Sequence, residues 1–342
     1  MIIHYQCPNC AGNMSFDADS STLSCPSCGY DENIEQHPEE LIQAEFEEGD
    51  AREYHCENCS AVLLTDEHTV ATSCDFCGSN VVIGNRVGGT LAPSKVIPFK
   101  VTKEEAIAAF KKWSRNGLLT PKGFASRERL QSIQGVYVPF WLYDFDSEIH
   151  VQATGKKIRK YVSGEYIYTE TKVYEVERQL KLRYLKIPAD ASIKMDDTLM
   201  NKLEPYVYGD LEDFKTPYLA GFIAEKYNFT DEELKPRALE KIEPYIQQNI
   251  SNSLNSYSTY SIHTSDIDTK TLKTYYALFP VWMITEDYDQ EEFMFAMNGQ
   301  TGKVVGKPPV SKGKAAAWFG AITAASFVAM KLISVAMGGS FL

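Results

Sequence analysis

The chain has 342 residues and a formal net charge of −12 at pH 7, from 34 basic and 46 acidic residues. Residues 1–89 contain sixteen acidic and two basic residues, whereas residues 90–342 are close to neutral. An apolar content of 44% excludes a wholly disordered chain. The acidic balance argues against simple nucleic-acid binding, because that binding depends on lysine and arginine neutralising phosphates.

All eight cysteines lie in the acidic part and form two sets of equal spacing. Each set has two C-x-x-C pairs separated by fourteen residues: Cys7, Cys10, Cys25 and Cys28, then Cys56, Cys59, Cys74 and Cys77. Two such pairs predict a zinc ion held by four thiolates, which leave no coordination position for water. We therefore predict two structural Zn2+ ions bound by these eight cysteines, and no catalytic metal.

Other interpretations of the cysteines fit the sequence less well. A disulfide framework suits secreted chains, and a redox C-x-x-C opens the helix of a βαβ unit, a pattern that these segments lack. Gly29 and Gly78 follow the second pair of each set, where the turn around the metal often requires positive φ. With zinc bound, the charge of residues 1–89 would change from −14 to about −18, since each four-thiolate zinc unit carries −2.

The cysteine spacing divides the acidic part into zinc ribbon 1 (1–32), an acidic linker (33–53) and zinc ribbon 2 (54–89). The linker is rich in glutamate. This composition predicts a solvated spacer or, alternatively, an acidic docking surface for a basic partner.

The body of the chain combines helix and strand patterns and predicts an α+β fold. Thr102 and Glu105 form a capping-box pattern before a helix over 103–115. Thr230 and Glu233 open a second helix toward residue 254, in which the proline at 244 should kink or divide the helix. Strand patterns cover 135–145, 149–153, 158–168, 172–187, 257–263, 271–284 and 291–297.

Two strand patterns contain the same motif, in Val138-Pro-Phe-Trp141 and Phe279-Pro-Val-Trp282. A proline in a strand favours an edge position or a bulge. The repetition predicts two α+β units of related antiparallel-sheet and helix design, over 90–195 and 196–306. Core packing is the favoured role of both tryptophans, and ligand stacking is the alternative.

Two clusters of charge lie within the strand patterns. The basic cluster predicts a solvated hairpin tip, or alternatively a contact with phosphate or lipid headgroups, and consists of Lys156, Lys157, Arg159 and Lys160. The acidic cluster predicts an exposed strand face rather than acid–base chemistry, and consists of Asp144, Asp146 and Glu148. Because the sequence contains no recognised catalytic motif, we predict that the protein is not an enzyme.

The end of the chain is basic and then apolar, and no acidic residue follows Glu292. We predict a basic juxtamembrane segment (307–314) and a transmembrane helix (315–337) of about 34 Å, enough for a bilayer core of about 30 Å. This requires Lys331 to extend to the distal interface; a buried core helix or a docking peptide is the alternative. Positive charge on the N-terminal side predicts a single pass with residues 1–314 in the cytoplasm.

The order of these motifs is similar to that of a known family. Two four-cysteine ribbons precede Val96–Phe99, Gly135–Trp141, Phe279–Trp282 and the turn Asn298–Lys303, and an apolar helix follows. Over essentially the full chain, this order resembles the bacterial TFIIB-type zinc-ribbon membrane proteins that are encoded beside a phage-shock-protein-A homologue in Bacillus-type bacteria.

The resemblance implies a membrane-anchored adaptor or scaffold in the phage-shock type of cell-envelope stress response. The expected partners are a phage-shock-protein-A-type coat protein, an SPFH/virion-core-like protein, and the lipid bilayer through residues 315–337. The alternative function is a nucleic-acid-binding ribbon protein in transcription or replication, against which the acidic ribbons argue.

Overall fold

The computed structural model describes most of the body, most of ribbon 1 and shorter parts of the other segments. The described residues are 2–3, 5–34, 52–56, 62–65, 68–74, 79–83, 92–116, 119–121, 133–288, 291–306 and 308–336. The helices in these ranges are α1 (Lys103–Asn116), α2 (Asp197–Leu203), α3 (Asp231–Ser253) and α4 (Lys312–Ala336). Together with the antiparallel sheets, they confirm the predicted α+β class.

The strands of the described ranges differ greatly in length. The N-terminal strands are short: β1 (Ile2–Ile3), β2 (Ser15–Asp17), β3 (Thr22–Ser24), β4 (Asp31–Glu32), β5 (Arg52–His55), β6 (Val62–Thr65), β7 (Thr69–Ser73) and β8 (Asn80–Ile83). The body adds β9 (Lys95–Val96), β10 (Gln134–Ser163), β11 (Tyr166–Asp190), β12 (Glu212–Asp213), β13 (Ile223–Glu225), β14 (Thr259–Tyr288), β15 (Glu291–Asn298) and β16 (Val304–Gly306).

The long strands β10, β11 and β14 form the centre of the main sheet. β10 pairs antiparallel with β14 along residues 134–156 and with β11 along residues 140–163. The predicted break between 149–153 and 158–168 is wrong, because β10 is continuous to Ser163. The chain turns at Gly164, inside the predicted strand 158–168. Gly155 lies inside β10, where a Cβ atom would approach Cδ1 of Tyr257 to 2.5 Å. The glycine therefore makes room for an aromatic ring and does not end the strand.

The predicted separation of 257–263 from 271–284 is also wrong, since β14 is continuous through both segments. The residues between them are polar and show little strand alternation in the sequence. Their strand conformation is explained by pairing with β10, which runs beside β14 over its whole central part. Tertiary pairing thus outweighs weak local propensity here.

The two proline-tryptophan motifs pair with each other at the centre of the sheet. Val138 lies opposite Phe279, with Pro139 and Pro280 directly beside this pair. Both strands are central and their register is regular at the prolines, so the expected edge position or bulge is wrong. Each proline instead lies where its strand changes neighbour. β10 pairs with β13 before Pro139 and with β11 after it, and β14 pairs with β9 before Pro280 and with β15 after it.

The backbone orientation explains why these positions accept proline. The carbonyl of Pro139 accepts a hydrogen bond from Ala191, and that of Pro280 accepts one from Gly299, both on the side where the neighbour changes. The nitrogen of each proline faces the same side. The missing N–H group therefore falls in the gap between two neighbouring strands and leaves no ladder partner unsatisfied.

The pairing confirms two related units within one sheet. The first unit runs through β9, α1, β10 and β11, and the second through β13, α3, β14 and β15. β9 pairs in parallel with β14 of the second unit, and β13 pairs in parallel with β10 of the first. Each unit thus places its short first strand beside the central strand of the other, which joins the two units into one sheet.

Helix α3 covers one face of β10 and β11. Its buried side chains recur every fourth residue and are Leu234, Ala238, Ile242, Ile246 and Ile250. The predicted capping box of Thr230 and Glu233 is confirmed. Pro244 is predicted to kink or divide the helix, and the division is wrong: α3 is continuous, and Pro244 lies on its exposed face. On that face water can satisfy the carbonyl that loses its hydrogen bond.

The N-terminal strands also contact the body. β8, β7 and β13 follow one another in the main sheet and lead to β10, with β1 paired to β8 at the outer end. Ribbon 1 has its own small sheet of β2, β3 and β4. The proposed domain boundaries stay a prediction. The described strands β7 and β8 extend the sheet of the body.

Candidate metal centres and membrane segment

Ribbon 1 brings its four cysteines together. The Sγ atoms of Cys7, Cys10, Cys25 and Cys28 all lie within 4.8 Å of one another. The Cys7–Cys28 and Cys10–Cys25 sulfur pairs are 3.4 and 3.5 Å apart. In a tetrahedral site with Zn–S bonds of about 2.3 Å, two sulfurs are about 3.8 Å apart. The four thiols can therefore hold one tetrahedral metal ion, and the two buried cysteines, Cys7 and Cys25, fix it to the ribbon.

The two C-x-x-C turns of ribbon 1 have the same backbone structure. The Cys7 N–H donates to the Gly12 carbonyl and the Cys25 N–H to the Tyr30 carbonyl, both at 2.8 Å. Gly29 has a φ of 73°, as predicted. The equivalent residue of the first turn is Ala11, with a φ of 57°. Sequence reasoning missed Ala11, although aligning the two turns would have revealed its position.

The first site also favours the ionised form of a thiol. Burial raises the pKa of Cys25, but hydrogen bonds from the backbone of Cys28 and Ser27 outweigh it and lower the pKa to about 6. Backbone N–H groups directed at a sulfur stabilise the thiolate, which is the form that binds metals. The thiols of Cys10 and Cys28 also lower the pKa of Cys25, so the backbone of the turn and the neighbouring cysteines together favour its thiolate.

The second cysteine set is described in part. Cys56 and Cys74 are buried in one small cluster with Val81 and Ile83, whereas Cys59 and Cys77 lie outside the described residues, as does Gly78. The Cys74 N–H donates to the Ser79 carbonyl at 2.8 Å. This is the same five-residue backbone bond that closes both turns of ribbon 1. The described half of the second set is consistent with the predicted repeat.

Ribbon 1 packs against the core of the body. The Phe16 N–H donates to the Ala220 carbonyl at 2.9 Å, and the Phe16 ring lies 5.4 Å from that of Tyr218. Phe16 also lies 6.3 Å from Phe222, which stacks on Phe99 at 4.1 Å in the body. Residues of the metal-binding hairpin and of the body therefore share one hydrophobic cluster.

The two ribbons are also linked directly by side-chain amides. The Asn13 Nδ2 atom donates to the Ser79 hydroxyl at 3.0 Å, and the Asn80 Nδ2 atom donates to the Met14 carbonyl at 3.3 Å. These bonds join the first metal-binding hairpin to the turn that follows Cys74. The candidate metal centres therefore belong to one connected part of the structure.

The acidic cluster on β10 binds neighbouring strands. Glu148 accepts a hydrogen bond from Lys181 at 2.7 Å, and Asp144 accepts one from the Lys186 N–H at 2.8 Å. The hydrogen bond from Lys181 holds the pKa of Glu148 below its usual value. These contacts give the carboxylates a structural role. Trp141 and Trp282 likewise donate to backbone carbonyls, of Phe229 and Val101, and serve packing as predicted.

Helix α4 is exposed along its apolar length. Its residues Lys312–Ile333 have a mean hydropathy of 1.6, and none of the most apolar stretch is buried. By length and composition the helix can cross a membrane. The alternative of a buried core helix does not agree with this exposure. At its start, the Lys314 Nζ atom donates to the Thr120 carbonyl at 2.6 Å, which connects the helix to the body.

Comparison with known proteins identifies one full-length relative. The chain is 55% identical over 341 residues to the uncharacterized protein YdjG of Bacillus subtilis (strain 168), and the match covers 100% of both chains. No family model matches the chain, and no solved structure matches it. The name of the relative states no activity, so functional inference depends on the metal centres and helix α4.

Proposed function

We propose that this chain, which belongs to the family of Bacillus subtilis YdjG over its full length, is a membrane-anchored zinc-ribbon adaptor. It holds two structural Zn2+ ions through its eight cysteines. Its anchor is the apolar helix, residues 315–337 of the prediction, with the remainder of the chain in the cytoplasm. It recruits cytosolic proteins in a cell-envelope stress response.

The observation that supports this proposal is the combination of a four-cysteine cluster and an exposed apolar helix in one chain. Four cysteines around one point complete a tetrahedral coordination sphere, so the centre suits a structural role and not catalysis. Ribbon 1 is joined to the body, and the body leads directly into α4. A partner bound to the body or to the ribbons would therefore be held at the membrane.

The TFIIB-type resemblance adds the identity of the partners to the proposal. They are a phage-shock-protein-A-type coat protein and an SPFH/virion-core-like protein. Acidic ribbons disfavour phosphate binding and suit protein contacts, which places the nucleic-acid alternative second. Basic residues before α4 are expected to face the anionic cytoplasmic leaflet.

The experiment compares crosslinked complexes from membranes that contain the full chain or a chain truncated after Lys314. We expect the truncated chain to leave the membrane fraction and to lose the coat protein from that fraction. In the full chain, Cys7→Ser is expected to lower the zinc content by about half, since one of two four-cysteine sites is broken. It should also release the coat protein while the chain stays in the membrane.

The matched control is Asn9→Ala, which changes an exposed residue of the same turn that is not a metal ligand. It should retain both the zinc and the partner. Normal recruitment by the Cys7→Ser chain would contradict the role of the ribbons. Recovery of DNA instead of protein, with binding that weakens steeply as salt is raised, would favour the alternative function.

A further inference from the structure

The β10–β11 hairpin extends beyond the rest of the sheet. β14 begins at Thr259, opposite Lys156, whereas β10 continues to Ser163 and β11 begins at Tyr166. Residues 157–172, here called the arm, are therefore a two-stranded hairpin. Hairpins of two strands are marginally stable in water, and a third strand or a packed face is usually needed.

The arm exposes large apolar side chains on both faces. Val162 and Ile167 pair across the hairpin and are 71% and 73% exposed. On the other face, the rings of Tyr161 and Tyr168 stack at 5.5 Å, and Tyr166 is 70% exposed. An exposed apolar patch that is rimmed by polar groups commonly marks an interaction surface.

The charge of the arm is basic, in contrast to the acidic ribbons. It contains four basic residues and two acidic ones. Lys157 and Arg159 lie on the face of the tyrosines, with Arg159 6.0 Å from the centre of the Tyr161 ring. Lys160 shares the other face with Ile158 and Val162. A partner strand would therefore meet positive charge on one face and mainly apolar groups on the other.

One edge of the arm lies on the side of β10 that pairs with β14 in the rest of the sheet. The Ser258 N–H donates to the Lys156 carbonyl at 2.7 Å, and the Ser258 hydroxyl accepts from the Ile158 N–H at 3.0 Å. Because the N–H groups of successive strand residues point to opposite sides, those of Lys160 and Val162 lie on the same side as that of Ile158. Within the described residues, no strand pairs with 157–163 on that side.

Resting on the proposed adaptor function, we propose that this edge binds an extended acidic segment of a cytosolic protein partner as an added β-strand. Backbone hydrogen bonds to Lys160 and Val162 would continue the pairing that β14 begins at Lys156. Acidic side chains of the segment would lie opposite Lys157 and Arg159, and apolar side chains opposite Val162. The added strand supplies the third strand that the arm lacks.

Two other occupants are disfavoured by the same residues. Antiparallel pairing of two copies of the arm through this edge would bring their basic residues together, and like charges across strands are destabilising. Insertion into lipid would carry Glu165, at the turn of the hairpin, into the bilayer. The arm also begins about 75 Å along β10 from residue 134. β14, β15 and β16 pair near residue 134 and lead to α4, so the arm lies far from the start of the apolar helix.

The test uses the full chain in nanodiscs of zwitterionic lipid and a labelled peptide of about ten residues that alternates glutamate and valine. Binding is measured by fluorescence anisotropy, and amide hydrogen exchange is measured at Lys160 and Val162. We expect saturable binding and slower exchange at both amides. Arg159→Glu should weaken binding about tenfold or more, because a favourable charge contact with the glutamates of the peptide becomes repulsive.

Matched variants separate the backbone contribution from that of charge. Val162→Pro removes the edge N–H group and should weaken binding, whereas Val162→Thr retains it and should not. Lys112→Glu reverses an exposed charge on α1 and should leave binding unchanged. A peptide that alternates lysine and valine should not bind. Unchanged binding by the Arg159→Glu chain, or binding without slower exchange, would overturn the proposal.

Amide hydrogen exchange measured without the peptide tests the two other occupants, which are the membrane and a second copy of the arm. Slower exchange in the arm when the nanodiscs contain anionic lipid would assign the arm to the membrane and overturn the proposal. Slower exchange that depends on protein concentration would assign it to a second copy, with the same consequence. Failure of the arm test alone leaves anchoring and zinc-dependent recruitment intact, so the two proposals fail independently.

Discussion

The residue that follows the second cysteine distinguishes the two turns of ribbon 1. Gly29 and Ala11 occupy equivalent positions and both have positive φ, a conformation that costs little for glycine and more for alanine. The first turn therefore tolerates a strained residue that the second avoids. The Ala11 N–H donates to the Cys7 carbonyl at 2.8 Å, and this backbone bond holds the strained turn in place.

Gly29→Ala tests this cost directly. A Cβ atom at Gly29 would meet no atom within 4 Å, so only the backbone conformation opposes the substitution. We expect the free energy of unfolding to fall by about 1 kcal/mol, measured by denaturant titration of the zinc-loaded chain. Gly209→Ala is the control, because its Cβ also meets no atom and its φ is not positive. Equal effects of both substitutions would contradict the explanation.

A buried ion pair provides a second prediction for single residues. Asp190 is 1% exposed, and its Oδ2 atom accepts from Arg237 at 2.5 Å. Burial is the main cause that raises the pKa of Asp190 from 3.8 to about 6, against the opposing effect of Arg237. Because the folded pKa is raised, ionisation of Asp190 costs stability as the pH rises through this range. Above it, Arg237 is needed to compensate the charge.

We expect Arg237→Met to lower the free energy of unfolding by about 3–5 kcal/mol at pH values well above the Asp190 pKa, since a buried charge loses its partner. Below that pKa the carboxyl is protonated, so the loss should become much smaller. Denaturant titrations on both sides of the pKa give the comparison. Lys181→Met, which breaks an exposed pair with Glu148, should change stability little. An Arg237→Met effect that does not vary with pH would contradict this account.

At the level of secondary-structure elements, α3 shows how far periodicity predicts a structure. The every-fourth-residue pattern and the capping box identify the helix and its buried face, because both depend on residues that are close in sequence. The effect of Pro244 could not be predicted in the same way. It depends on whether that side of the helix faces solvent or sheet, and the tertiary structure places it in solvent.

Ile246 measures the packing of α3 on the sheet. Its side chain is 2% exposed and packs within the cluster that α3 forms with β10 and β11. We expect Ile246→Ala to lower the free energy of unfolding by about 2–5 kcal/mol, through lost apolar contact and the cavity left behind. Its neighbour Tyr245 is 58% exposed, so Tyr245→Ala should have a much smaller effect. The two variants are compared by thermal unfolding, and equal losses of stability would contradict this account.

At the level of the whole molecule, ribbon 1 connects the candidate metal centre to the hydrophobic core of the body. Phe16 of ribbon 1 reaches Phe222, which also lies 5.9 Å from Trp282 in the body. The hairpin between the two cysteine pairs carries Phe16, so a metal ion bound by the four cysteines would fix the position of this ring. Loss of zinc is therefore expected to disturb aromatic packing far from the cysteines.

Chelation of zinc from the full chain should lower the melting temperature and change the near-ultraviolet circular dichroism of the aromatic core. The physical reason is that the unfolded hairpin no longer covers Phe222. Restoring zinc should reverse both changes, and the Asn9→Ala chain should behave as the unaltered chain does. A melting transition of the body that is unaffected by chelation would show that ribbon 1 and the body unfold separately.

The sequence by itself determined the features that depend on local spacing. These are the four-cysteine centre of ribbon 1, the capped helices and the apolar helix at the end of the chain. Only the tertiary structure decided the positions of Pro139, Pro280 and Gly155, since each depends on strands or rings that are distant in sequence. The arm belongs to this second group. Its open edge exists because β14 begins at Thr259, and the pairing of strands is a non-local property that no short pattern encodes.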